Sequence, residues 1–93
     1  NNLTRDYQIA LSEVNSRFQQ LPVAEKEVTL ANQELRLARD RFTQGVADNR
    51  ELIDAQQALA NAEDGLLEAR FFYGLSRVAF ARVVGAVRAE SIQ

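Results

Sequence analysis

Residues 38–70 read ARDRFTQGVADNRELIDAQQALANAEDGLLEAR, and the fold is decided by what happens at the middle of this stretch. Backwards from Phe42, apolar residues recur at alternating steps of four and three: Ala38, Leu35, Ala31, Val28, Ala24 and Leu21, continuing to Val14, Ala10, Tyr7 and Leu3. Forwards from Leu52 the same rhythm gives Ala55, Leu59, Ala62, Leu66, Ala69 and Tyr73, then Phe80, Val83 and Val87. Between the two series lies one short polar segment, Thr43 to Asn49. Heptad spacing keeps one face of a helix apolar. Two such arms about a single turn predict an all-α fold, a long antiparallel helical hairpin of coiled-coil type.

The turn carries its own signals. Gly45 can take the left-handed conformation that closes a helix C-terminus. Asp48 can cap the next helix, and Glu51 three residues later completes a capping-box-like pair. The expected boundaries are arm one over about 3–42, the tip over 43–48 and arm two over about 49–88. Arm one would be a rod of about 60 Å at ~1.5 Å per residue.

Pro22 is the difficulty in arm one. In a helix interior it removes a hydrogen bond and costs about 3 kcal/mol or more. It either kinks a continuous helix or breaks it, folding residues 3–20 back as a third helix. The heptad phase passes through Pro22 without a skip, and no Gly, Ser, Asp or Asn adjoins it to build a turn, which favours the kink.

Folding the arms about the turn pairs residues whose numbers total about 93 or 94. Phe42 then faces Leu52, Leu35 faces Leu59, Leu21 faces Tyr73 and Val14 faces Phe80. The polar interruptions coincide: Arg17 in arm one falls in the layer of Ser76 in arm two. That layer either fixes register, as single polar core residues do in coiled coils, or is simply hydrated.

Arm two has more apolar surface than a two-helix seam needs. Ile53, Ala60, Leu67, Gly74 and Ala81 lie on one flank, and Ala58, Gly65, Phe72, Ala79 and Ala86 on the other. Such a helix packs on more than one neighbour: either a folded-back third helix or adjacent hairpins in a larger assembly. Ile53, Ala60, Leu67, Phe72 and Ala79 are the candidate inter-hairpin contacts.

Composition narrows the function classes. A net charge of −2 with no dense basic stripe argues against nucleic acid as the main partner. There is no Cys and no His, so thiolate chemistry, Ser/His or Cys/His pairs and ordinary zinc or copper sites are excluded. The acidic residues are spread along helix faces, where some can pair with arginines at helical spacing, such as Arg36 with Asp40 or Arg50 with Asp54. We therefore expect no enzyme, no metal and no cofactor. No apolar run approaches the roughly 20 residues of a membrane-spanning helix. A helical pattern already under way at Leu3, with no initiating Met, leads us to expect a piece of a larger protein.

The turn region also resembles a known family. Arg41-Phe42, then Gly45, a polar loop, and the helix start Ile53-Asp54-Ala55-Gln56 are similar to the outer-membrane efflux proteins, the TolC-like channels. The ending LSRVAFARVVGAV, Leu75 to Val87, resembles that family's returning helix, and the likeness covers about residues 24–88. The chain departs from the family in having no candidate β-strands and in residues 1–22, including Pro22.

The resemblance implies one stave of the periplasmic α-barrel of a trimeric outer-membrane channel for efflux or type I secretion. Its tip would dock a periplasmic adaptor through Gly45, Val46 and Ala47, with Arg41 and Asp48 at the edge. It implies self-association in the parent and membrane contact only through parts outside this sequence. The alternative is the hairpin of the adaptor itself. That protein usually carries a leucine in its arginine motif and Ile-Ser after the glycine, where this chain has Arg41-Phe42 and Val46-Ala47. A generic three-helix interaction scaffold is the third possibility.

Overall fold

A computed structural model describes residues 2–92, the last by its backbone only. Helix α1 spans Asn2–Thr43 and helix α2 spans Asn49–Ile92. No strand occurs among the described residues. Helix α1 passes through Pro22 without interruption, so the alternative with residues 3–20 folded back as a third helix is not what this chain adopts. The physical reason lies on both sides of the proline: uninterrupted heptads continue the seam, and no turn residue competes with helix. Helix α2 extends four residues beyond the expected Arg88, because Ala89 and Glu90 favour helix and no glycine or proline stops it.

Two compact units divide the chain. One comprises residues 1–21 with 69–93, and the other residues 22–68. The boundary on α1 falls at Pro22. Each unit contains a segment of both helices, so the arms pair on either side of the proline.

In the 22–68 unit the seam is an alanine zipper. Ala24, Ala31, Leu35 and Ala38 are its buried residues, all on α1, and on α2 the row expected opposite them, Leu52, Ala55, Leu59, Ala62 and Leu66, is partly buried. Small side chains at every second contact let the helix axes approach, which is why Leu35 retains only 6% of its exposure. Removing such a leucine from water contributes about 1.5–3 kcal/mol.

The unit formed by residues 1–21 and 69–93 is held differently. Its helices meet through rings: Tyr7 lies 5.5 Å from Phe80 and Phe18 lies 5.7 Å from Tyr73, centroid to centroid. As α1 rises from Tyr7 to Phe18, the partner on α2 descends from Phe80 to Tyr73, the mark of an antiparallel pair. These ring contacts run diagonally to the level pairing of Phe80 with Val14 and of Tyr73 with Leu21, since long aromatic side chains reach beyond their own layer.

The polar layer is resolved within each helix. Ser76 is buried, at 6% exposure, and its hydroxyl donates to the Tyr73 carbonyl at 2.7 Å. Arg17 donates from Nε to the Glu13 carboxylate at 2.7 Å and lays its guanidinium over the Phe72 ring, 4.8 Å from the centroid. Arg17 and Ser76 thus share no hydrogen bond. The link across the seam is the cation–π contact to Phe72.

Candidate functional site at the hairpin tip

The tip is built by two caps in sequence. Gly45 has φ +77°, the only positive φ among the described residues. Its N–H donates to the Phe42 carbonyl at 3.0 Å, and the Val46 N–H donates to the Arg41 carbonyl at 2.9 Å. These are the paired bonds of a Schellman motif, which satisfy carbonyls orphaned by the end of α1. A second donor, the Ala47 N–H, reaches the same Arg41 carbonyl at 3.3 Å. The Thr43 hydroxyl donates to the Arg39 carbonyl at 2.8 Å and closes the last turn.

The motif lacks its usual hydrophobic contact. Val46 occupies the position that would pack back on the last turn, but the residues there are Arg41 and Asp40. Val46 is consequently 61% exposed. Ala47 is half-buried and Gly45 is exposed with open space on its Cα.

Asp48 caps α2 as expected: its Oδ1 accepts from the Glu51 N–H at 3.2 Å. Such a cap contributes roughly 1 kcal/mol. The reciprocal half of the capping box does not form. The Glu51 carboxylate turns across the tip and accepts from Arg41 Nε at 2.8 Å. Both side chains are about half exposed, so the pair contributes under about 1 kcal/mol. Its effect is positional, tying the end of α1 to the start of α2. Spacing along one helix could not reveal this pair, because its members lie on opposite sides of the turn. Arg36 with Asp40 and Arg50 with Asp54 form no ion pair among the described residues, whose two ion pairs are Arg17–Glu13 and Arg41–Glu51.

One side of this tip carries a shallow groove lined by Leu37, Ala38, Ala55 and Ala58, with Arg41 and three carboxylates, Glu34, Glu51 and Asp54, around it. The five tip candidates therefore divide by role. Gly45 and Asp48 shape the turn, Arg41 braces it and edges the groove, Ala47 is partly covered, and Val46 is presented to solvent.

The candidate inter-hairpin residues divide as well. Ile53, Ala60, Leu67 and Ala79 are exposed. Phe72 is half-buried between Phe71, edge-on at 5.5 Å, and the Arg17 guanidinium, so it is engaged in the hairpin's own seam.

Among the described residues no group of His, Cys, Asp or Glu is placed to hold a metal ion. Among the described residues no helix is long and apolar enough to cross a membrane. Comparison with family models, with curated proteins and with solved structures finds no match to this chain.

Proposed function

We propose that this chain is a periplasmic hairpin of a TolC-like outer-membrane channel, one stave of its trimeric α-barrel, and that its tip docks a periplasmic adaptor protein. The observation that carries the reading is the tip. A double cap fixes the turn by hydrogen bonds and leaves Val46 61% exposed. An exposed apolar side chain on a fixed turn is an anchor for a partner's pocket, and rigidity lowers the entropy cost of docking.

The reading is non-enzymatic and needs no cofactor. Arg41 and Asp48 flank Val46 with opposite charges and would orient the partner. The exposed row Ile53, Ala60, Leu67 would face the next stave. A bend of α1 at Pro22, to follow the curvature of a barrel wall, belongs to the same reading.

The test is a photo-crosslinking residue at Val46 in the protein as expressed in its own cell envelope. An adduct with a periplasmic adaptor is expected, together with its loss in the Gly45→Trp, Asp48→Arg double variant. An adaptor adduct unchanged by that double variant, or adducts only with an inner-membrane pump, would reject the tip assignment. Labelling from Val46 to the tip of an outer-membrane channel would favour the adaptor hairpin instead.

A further inference from the structure

The unit formed by residues 1–21 and 69–93 holds six arginines against Asp6, Glu13 and Glu90, a net +3. Within it the two signs lie on opposite flanks of the helix pair. Glu13 is tied to Arg17, whose guanidinium lies over Phe72. Asp6 is one heptad from Glu13, and Glu90 is five turns from Phe72 along α2, so all three carboxylates fall on the Phe72 side. On the other side Phe18 meets Tyr73, and the Arg77 guanidinium lies over the Tyr73 ring, 5.7 Å from its centroid. Arg70 is one heptad before Arg77 and Arg88 three turns after it, which puts the three in one row. Between Ala69 and Ala89, α2 bears no carboxylate. Arg70 and Arg88 make no ion pair or hydrogen bond with the described residues.

Exposed apolar side chains adjoin this row on both sides. Phe18, on α1, is 58% exposed. Phe71 and Val78 stand one heptad apart on the outer side of α2, 62% and 53% exposed. Gly74 and Ala81 floor a shallow groove between Arg77 and Val78. The charge pattern selects among possible occupants. A partner helix in a coiled coil is chosen and set in register by charges of both signs, and a row of one sign sets no register. Tyr73 and Phe80 already lie against Phe18 and Tyr7, so the rings offer no open platform on which bases could stack. A fluid anionic surface needs only cations for its phosphates and apolar groups that pass between its headgroups.

We propose that this flank binds the surface of an anionic lipid bilayer, both helical segments of the unit lying in the plane of the interface. Arg70, Arg77 and Arg88 meet lipid phosphates, their stems lying along the apolar surface. Phe18, Phe71 and Val78 enter the boundary between headgroups and acyl chains. The carboxylates of the unit point away, on the Phe72 side. The helices lie on the membrane and do not span it. This goes beyond the channel reading, which gives the chain no membrane contact of its own, and does not rest on it.

The experiment uses the whole chain and sedimentation with two kinds of vesicle: phosphatidylcholine alone, and phosphatidylcholine with about one-third phosphatidylglycerol. Binding to the anionic vesicles is expected to be at least about tenfold tighter, and to weaken as salt screens the charges. Arg70→Gln with Arg88→Gln should stay helical by circular dichroism and lose about fivefold per arginine removed. Since the chain has no tryptophan, single reporters read the orientation. Ala81→Trp lies in the groove beside the arginine row, and its emission should shift to the blue on anionic vesicles and be quenched by brominated lipid. Ala79→Trp, one heptad from Phe72 on the carboxylate side, should do neither. A chain that ignores the anionic vesicles overturns the proposal, and so does equal binding to both compositions. An arginine variant that binds like the parent, or two reporters that respond alike, overturns it as well.

Discussion

Replacing glycine by alanine should have opposite signs at two positions of this hairpin, for reasons readable from the backbone. At Gly45 an added Cβ meets nothing within 4 Å, so crowding is not an obstacle. The cost comes from φ +77° alone. An L-residue held in the left-handed region loses roughly 1–2 kcal/mol, offset in part by the ~0.4–1 kcal/mol that alanine gains by restricting the unfolded chain. The net expectation for Gly45→Ala is a loss of about 1 kcal/mol. At Gly65, inside α2, an added Cβ likewise meets nothing within 4 Å, but the backbone is helical. There alanine should stabilise by roughly 0.5–1 kcal/mol. D-alanine at 45, introduced by chemical synthesis, should reverse the sign at that position, because its preferred φ is positive. The assay is urea or thermal unfolding followed by helical circular dichroism. All variants are compared at one protein concentration, since self-association would contribute to stability. A loss of 1 kcal/mol corresponds to about 4–8 °C in a domain of this size. Equal losses for L- and D-alanine at 45 would refute the argument from φ, and a loss at 65 would refute the claim of open space on α2.

Three further outcomes follow from the packing. Leu35→Ala should destabilise by about 2–3 kcal/mol, near the lower end for buried leucines because a two-helix seam can partly close over the gap; a change below about 1 kcal/mol in urea unfolding would mean that Leu35 is not central to the zipper. A double-mutant cycle of Arg17→Met and Phe72→Leu should return a coupling of about 0.5–2 kcal/mol for the cation–π contact, and additive effects would remove it as a link across the seam. Pro22→Ala should raise stability by about 1–3 kcal/mol, since the substitution restores a helix hydrogen bond. Unchanged unfolding would indicate that the neighbouring backbone already compensates for the proline.

Much of the fold is legible because heptad periodicity is a local property that tertiary contacts read directly. Every seam residue named from spacing between Ala10 and Ala38 and between Leu52 and Val87 is buried or half-buried, and α2 adds Ala58, Gly65, Phe72, Ser76 and Val84 to them. Of the named seam residues, Tyr7 and Phe42 stand exposed. Gly45 and Asp48 were legible for the same reason, since caps involve residues within one turn of each other. Pairings across the hairpin were legible only to the level of a layer. Layer arithmetic places Arg17 beside Ser76, but it cannot say that Ser76 turns to its own helix while Arg17 lies over Phe72.

By itself, then, the amino-acid sequence determined two helices, the position of the turn, and which face of each helix leaves water, because these depend on residue spacing and on local backbone preference. Tertiary structure decided how α1 treats Pro22, where Glu51 points, and which rings touch. For Glu51 the outcome rests on competition between partners of similar energy, a capping N–H or an arginine. Spacing offers both options, and only the closeness of the two helices selects one.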